Sequence, residues 1–331
     1  QELYASTAAY PFTYSLTTVV YQFLPMFTDF TIVKDELPGL NFSNIADVNH
    51  YHTDLDNFSN ISEKTIQHYG SQILPLTMEY LTGEEYADKD YLRSDSDKVN
   101  FTIPLLGLFS FSKVGYIVLC VAVFVLFLLA FALEGLRGRI KAAKVFGFSL
   151  KVLGGSVLAL LIGEGFAYAC AAAAGAEFKL FGTVQGVPFD NKAMILFMVL
   201  MFAACVLLYV SGRTKAARSV SGSMRASAVT NAVTGNALSV LYGVLALQFV
   251  FSAVLLGVIG ENMMFFITFA FAVAGIILWR LTSLRVWLLA AIVLILLHAL
   301  SFLFALAMAL TIGALGAVAL IALIDMMVII P

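Results

Sequence analysis

The sequence predicts a polytopic α-helical membrane protein with about seven transmembrane helices, preceded by an incomplete soluble α/β segment. Three observations carry that prediction. Hydrophobic residues make up 61% of the 331 and charged residues only 12%, against about 45–50% and about 25% in a soluble domain. Charge divides along the chain: residues 1–113 hold 15 acidic and 6 basic side chains, and residues 114–331 hold 6 acidic and 13 basic. Apolar runs long enough to cross a bilayer begin only at Val114. A disordered chain and a wholly water-soluble enzyme are excluded.

Within the front, Pro11 suits the first turn of a helix running to about Leu24 through Tyr14, Leu16, Val19, Val20 and Phe23. The β-branched run Thr17-Thr18-Val19-Val20 keeps a strand open as the rival reading. Thr28 caps a short helix over 29–36. Leu37-Pro38-Gly39 then turns into a short strand, Leu40-Asn41-Phe42-Ser43-Asn44-Ile45. Asn60, with Glu63 three residues later, marks the start of a helix carrying Ile66, Tyr69, Ile73 and Tyr80, with a kink at Pro75. The charged stretch 83–98 reads as a loop leading to the membrane.

One short strand cannot form a sheet, because its amides and carbonyls need neighbouring strands. The front is therefore expected to need strands from elsewhere. Gln1-Glu2-Leu3-Tyr4 opens the chain without Met or a basic-then-apolar leader, so a processed start or a piece of a longer product is expected. The expected division is 1–101 for the front, 102–115 for a linker and 116–331 for the helical part.

A crossing takes about 20 mostly apolar residues at about 1.5 Å each. Seven such runs are read near 116–133, 152–174, 193–210, 238–259, 263–279, 286–308 and 310–330. Only Ala309-Leu310-Thr311 parts the last two, so a buried hairpin or half-span can mimic that pair. Basic residues concentrate in 134–151, 211–237 and 280–285, while Lys179 and Lys192 in one alternate loop and none in Gly260-Glu261-Asn262 mark the other side. The positive-inside rule places the basic loops and the C-terminus in the cytoplasm and the front outside or in a lumen. Gly155, Ala159, Gly163, Ala167 and Ala171 form a small-residue stripe for close helix packing. Glu164, Gln248, His298 and Asp325 are polar residues inside spans, scattered over four helices. Cys120, Cys170 and Cys205 lie in apolar runs as small hydrophobes, and no disulfide is expected.

Chemistry is expected in the loop Asn49-His50-Tyr51-His52-Thr53-Asp54-Leu55-Asp56-Asn57, which gathers two of the four histidines with two carboxylates. Imidazole and carboxylate suit zinc; a polar surface loop in which Asp56 or Asn57 starts the next helix is the other reading.

An ordered run of motifs makes the front specific: Tyr10-Pro11-Phe12, Leu24-Pro25, Thr28-Asp29-Phe30-Thr31, Pro38-Gly39-Leu40-Asn41-Phe42, Tyr51-His52-Thr53, Asp56-Asn57 and Gln67-His68-Tyr69-Gly70. Over about residues 4–101 it resembles the C-terminal end of the catalytic domain of zinc metallopeptidase family twenty-eight, which includes aminopeptidases and glutamate carboxypeptidase. The nearest subgroup is the membrane-bound one, with endoplasmic-reticulum and vacuolar proteases. The resemblance makes the front an incomplete α/β zinc-exopeptidase segment. It implies two zinc ions in the complete site, with His52 as the last ligand and Tyr51 as an oxyanion donor. His50 and Asp54 match no ligand position of the family, and Asp29-Phe30 shapes the site wall.

The family's upstream His and Asp, its Glu-Glu pair and a further acid have no counterpart before Gln1, and Glu84-Glu85 follows the motif instead of preceding it. The implied activity is aminopeptidase-type hydrolysis of peptides by metal-activated water, absent from this chain alone. The implied partners are a peptide substrate, the missing upstream segment or a partner chain, and the lipid bilayer, with no nucleic acid among them. Two other readings stand: a non-catalytic membrane scaffold carrying a peptidase remnant, and a transporter or channel with an external regulatory domain. Asn-x-Ser/Thr sites fall at Asn41, Asn57, Asn60 and Asn100.

Overall fold

A computed structural model describes residues 2–18, 28–33, 36, 39–43, 48–88, 90–92, 97–180, 184, 186–204 and 226–329, with backbone alone at 49 and 226–236. The front is built from short pieces tied by polar side chains. Helix α1 (Glu2–Thr7) lies against α3 (Glu63–Thr82), and α2 (Asp29–Val33) stands between them in sequence. The Tyr4 hydroxyl donates to Gln72 Oε1 (3.4 Å) and accepts from the Phe12 amide (3.0 Å), while Gln72 Nε2 donates to the Tyr10 carbonyl (2.7 Å). Gln72 is thus buried with a side-chain donor on its carbonyl and a backbone acceptor on its amide.

Helix α3 starts three residues after Asn60, because Ser62 takes the capping position and accepts from the Thr65 amide (3.3 Å). Asn60 instead ends a 3-10 turn, Phe58–Asn60, capped by Asn57. Pro75 sits inside α3, as expected.

Two expectations for the front are corrected. Residues 39–43 are not a strand, and 44–47 lie outside the described residues. Among the described residues no strand lies beside the Leu40–Ser43 stretch to form a ladder with it. The helix from Pro11 also starts late: 11–13 are irregular, Tyr14 bridges Phe101, and 15–18 are helical. The rest of that expected helix, 19–24, lies outside the described residues.

The sheet among the described residues is a hairpin of β1 (Lys98–Ile103) and β2 (Gly107–Ser112), antiparallel with Phe101 opposite Phe109. It spans the end of the expected front and most of the expected linker 102–115. Alternation puts Val99, Phe101 and Ile103 on one face, and Asn100 and Thr102 on the other are buried as well. The turn runs through Pro104 and Leu105, whose φ of 69° is left-handed, and closes with the Leu106 amide on the Ile103 carbonyl (3.1 Å). On the free side of β1, the Thr13 amide donates to Thr102 Oγ1 (3.0 Å) and the Asn100 amide to Ser15 Oγ (3.2 Å).

β2 passes straight into α4 (Lys113–Leu136), with Ser112 accepting from the Gly115 amide (3.1 Å) as cap. Next come α5 (Ala142–Ala174), a helical run at 190–204, α6 (Ala226–Ile259), α7 (Met263–Thr282), α8 (Val286–Leu310) and α9 (Leu315–Met326). Among the described residues, five helices are long and apolar enough to cross a membrane: α4, α5, the Ala237–Ile259 part of α6, α7 and α8. The protein is membrane-embedded and helical.

The expected count of seven differs at two places. The third run is helical at 190–204, and its remainder, with Cys205, lies outside the described residues. The seventh is short: Thr311 breaks the chain at φ 59°, a 3-10 turn follows, and α9 has 12 residues. Twelve residues rise about 18 Å, well under the bilayer core of about 30 Å. Helices also outrun two expected loops, since α5 begins at Ala142 and α6 at Ala226. Gly175, left-handed at φ 68°, ends α5, its amide bonding the Ala171 and Ala172 carbonyls.

The small-residue stripe packs as read: Ala159, Gly163, Ala167 and Ala171 are buried. α5 meets α9 along it. A Cβ on Gly163 would stand 2.6 Å from the Gly316 backbone, and one on Gly316 would stand 2.6 Å from the Leu160 carbonyl.

Candidate functional site

The loop holding the expected site is held by its own hydrogen bonds. A 3-10 turn, Val48–His50, rests against α8 and leads into the turn at Tyr51–Leu55. Thr53 anchors it, its hydroxyl donating to the His50 carbonyl (2.6 Å) and accepting from the Leu55 amide (3.2 Å). Asn57 Nδ2 donates to the Asp54 carbonyl (2.7 Å), and Asn60 Nδ2 to the Leu55 carbonyl (2.9 Å). The polar residues of the motif thus close the turn, and Asn57 starts the next one.

Tyr51 and His52 are both exposed, and their rings lie 3.9 Å apart. His52 has a φ of 58°, a left-handed conformation uncommon outside glycine and several-fold enriched in His, Asn and Asp. Such positions concentrate at functional sites, where the surroundings hold the backbone. Zinc takes three or four protein ligands. Among the described residues no group of three or more His, Cys, Asp or Glu side chains stands close enough to hold a metal. The donors present do not fit a zinc centre by themselves, and no hydrolytic step follows from them.

Beside the loop the front is seated on the helices. The Tyr14 hydroxyl donates to the Thr102 carbonyl (3.0 Å), and its ring stands edge-on to Phe302 (5.3 Å) and near His298 (6.1 Å). Phe101 adds a further ring contact with His298 (6.4 Å). Glu261, in the turn between α6 and α7, is buried beneath this seat. Burial pushes its carboxyl up, and the Ser15 hydroxyl and the Lys113 ammonium act against that rise.

Of the four polar residues read inside the spans, two come together. Gln248 Nε2 donates to Asp325 Oδ1 (3.0 Å) and to Thr268 Oγ1 (3.0 Å), while Glu164 lies at Gly316 and His298 faces the aromatic rings. Sequence reading missed Thr268, because threonine in an apolar run carries no charge signal. It also missed the cluster around Glu134 at the far end of α4. There Arg280 Nε (3.2 Å), Arg139 Nη1 (3.4 Å) and Arg137 Nη1 (3.7 Å) surround one buried carboxylate. The signal was available, as Glu134 is the one acid directly before the basic loop 137–151.

The chain matches no curated protein and no solved structure. Residues 2–77, which carry the Tyr51-His52-Thr53 loop and most of α3, match the model of Peptidase family M28, so the front of this chain is similar to that family.

Proposed function

We propose that the protein is the membrane-embedded, C-terminal part of a zinc-dependent exopeptidase of the M28 type. The observation that supports this reading is the family match over residues 2–77, within which the Tyr51-His52-Thr53 motif falls. In this reading His52 supplies one zinc ligand and Tyr51 a hydrogen-bond donor near the substrate. The other ligands and the base come from an upstream segment or a second chain. The left-handed backbone at His52 suits a residue whose direction is set by its loop. The apolar helices would hold the site at a membrane surface, on the external or lumenal side.

The test is the mass, zinc content and peptidase activity of the protein purified from its native membrane. About two zinc ions per complex, with a domain or partner of a few hundred residues beyond this chain, support the reading. In that preparation His52→Ala lowers zinc occupancy and abolishes hydrolysis, whereas His50→Ala changes neither. A 35.9 kDa species free of zinc overturns it in favour of a non-catalytic scaffold.

A further inference from the structure

We propose that Asp325, Gln248 and Ser252 form a binding site for a single monovalent cation of the sodium class inside the helical domain. This goes beyond the peptidase reading and does not depend on it. The argument starts from a count of hydrogens. Gln248 has two amide protons, and both are placed, one on Asp325 Oδ1 and one on Thr268 Oγ1 (3.0 Å each). Thr268 has one hydroxyl proton, shared between Asp325 Oδ1 (2.9 Å) and the Phe265 carbonyl (3.0 Å). The protons of Gln248 and Thr268 thus reach only Oδ1 of the carboxylate, each other or backbone, and the Ser252 hydroxyl makes no hydrogen bond among the described residues.

Three oxygens remain without a partner among the described residues: Asp325 Oδ2, Gln248 Oε1 and Ser252 Oγ. All three side chains, and Thr268 with them, are wholly buried, at 0% exposure. Asp325 has no ion pair with Lys or Arg among the described residues. A buried carboxylate with one oxygen undonated needs either a proton or a cation at that oxygen, and the two further undonated oxygens beside it favour the cation.

The donors also state which charge. They are a carboxylate, an amide carbonyl and a hydroxyl, hard oxygens that bind alkali and alkaline-earth ions in place of zinc or copper. One formal negative charge balances one monovalent ion, whereas a calcium site collects several carboxylates and magnesium keeps its waters. Ser252 lies one turn beyond Gln248 on α6, so their side chains share a face. Asp325 stands on α9, so an ion here joins two helices, while Thr268 on α7 holds the other carboxylate oxygen. The ion explains why a short helix carrying a buried acid stays packed in the core of the bundle.

The experiment uses the full chain purified in detergent, with radioactive sodium as the probe. Saturable binding of one sodium per chain is expected, resistant to an equal concentration of choline. The melting temperature should rise with sodium chloride more than with choline chloride at the same ionic strength. Ser252→Ala should weaken binding about tenfold, as for loss of one polar partner, and Asp325→Asn should abolish it while removing the dependence of melting on sodium. Three results overturn the proposal. These are no saturable binding by the folded wild-type chain, equal binding by Ser252→Ala, or a protonated-carboxyl infrared band, absent in Asp325→Asn, that persists in saturating sodium. Should Asp325→Asn fail to fold, Ser252→Ala and the wild-type titration decide the matter alone.

Discussion

At the scale of single residues, the charges that matter are few and each sits where two parts meet. Glu261 is buried at the seat of the front on the helices, and burial raises its carboxyl above the ordinary range. A carboxyl whose folded-state pKa is raised contributes stability that is complete below the unfolded value. That stability is lost as pH rises through the folded value. The seat should therefore hold most firmly below the ordinary carboxylate range and loosen as pH rises above it. Protease sensitivity of the front, followed against pH, checks this, and Glu261→Gln should flatten the profile. Glu134 is a buried carboxylate among three arginines. Its own side chain is 3% exposed, but the arginines are 28–53% exposed, so water discounts the figure for a fully buried pair. Glu134→Ala should cost about 2 kcal/mol, read as a lower melting temperature in detergent. Arg137→Ala, the most exposed and most distant partner, should cost under about 0.5 kcal/mol.

At the scale of elements, helix contact rests on missing side chains. Gly163 and Gly316 let α5 and α9 touch backbone to backbone, which is where helices in lipid gain most from dispersion and close fit. Gly163→Ala should cost about 1–3 kcal/mol through forced separation. Gly154→Ala on the same helix meets nothing within 4 Å and should be neutral or slightly stabilising. Thermal melting of the pair separates contact from helix propensity. The stripe at four-residue spacing was readable because helical period alone decides which residues share a face. The hairpin was not read, although Val99, Phe101 and Ile103 alternate with Asn100 and Thr102. Its second strand, Gly107–Ser112, runs directly into an apolar helix, so hydrophobicity there reads as the approach to a span. The strand expected at 40–45 is absent over its described residues, 40–43, for the complementary reason. A period-two pattern states what one face wants, but a strand also needs a partner that the pattern cannot name. For the site, the motif located the Tyr51–His52 turn. The meeting of Gln248, Thr268 and Asp325 depends on three helices distant in sequence, which no local spacing reports.

For the whole molecule, the two ends of the helical part differ in charge and in what covers them. One end carries Glu134 with Arg137, Arg139 and Arg280. The other carries the hairpin, Glu261 and the front. The positive-inside rule counts basic residues near span ends, and from that count we propose that the arginine end faces the cytoplasm and the front faces outward or into a lumen. Asymmetry of this kind makes a prediction with its own internal control. Expressed in a eukaryotic secretory host, the front should receive N-linked glycans at the exposed residues Asn41, Asn57 and Asn60. Asn100 has the same sequence signal, but it is fully buried in β1, where no transferase can reach a folded chain. Substituting each asparagine by glutamine should remove a glycan-dependent gel shift at the first three sites and leave it intact at the fourth. A glycan at Asn100 would mean that β1 is not buried while the chain is being modified. No glycan at any of the four would place the front on the cytoplasmic side. The peptidase reading would then have to find its substrates there.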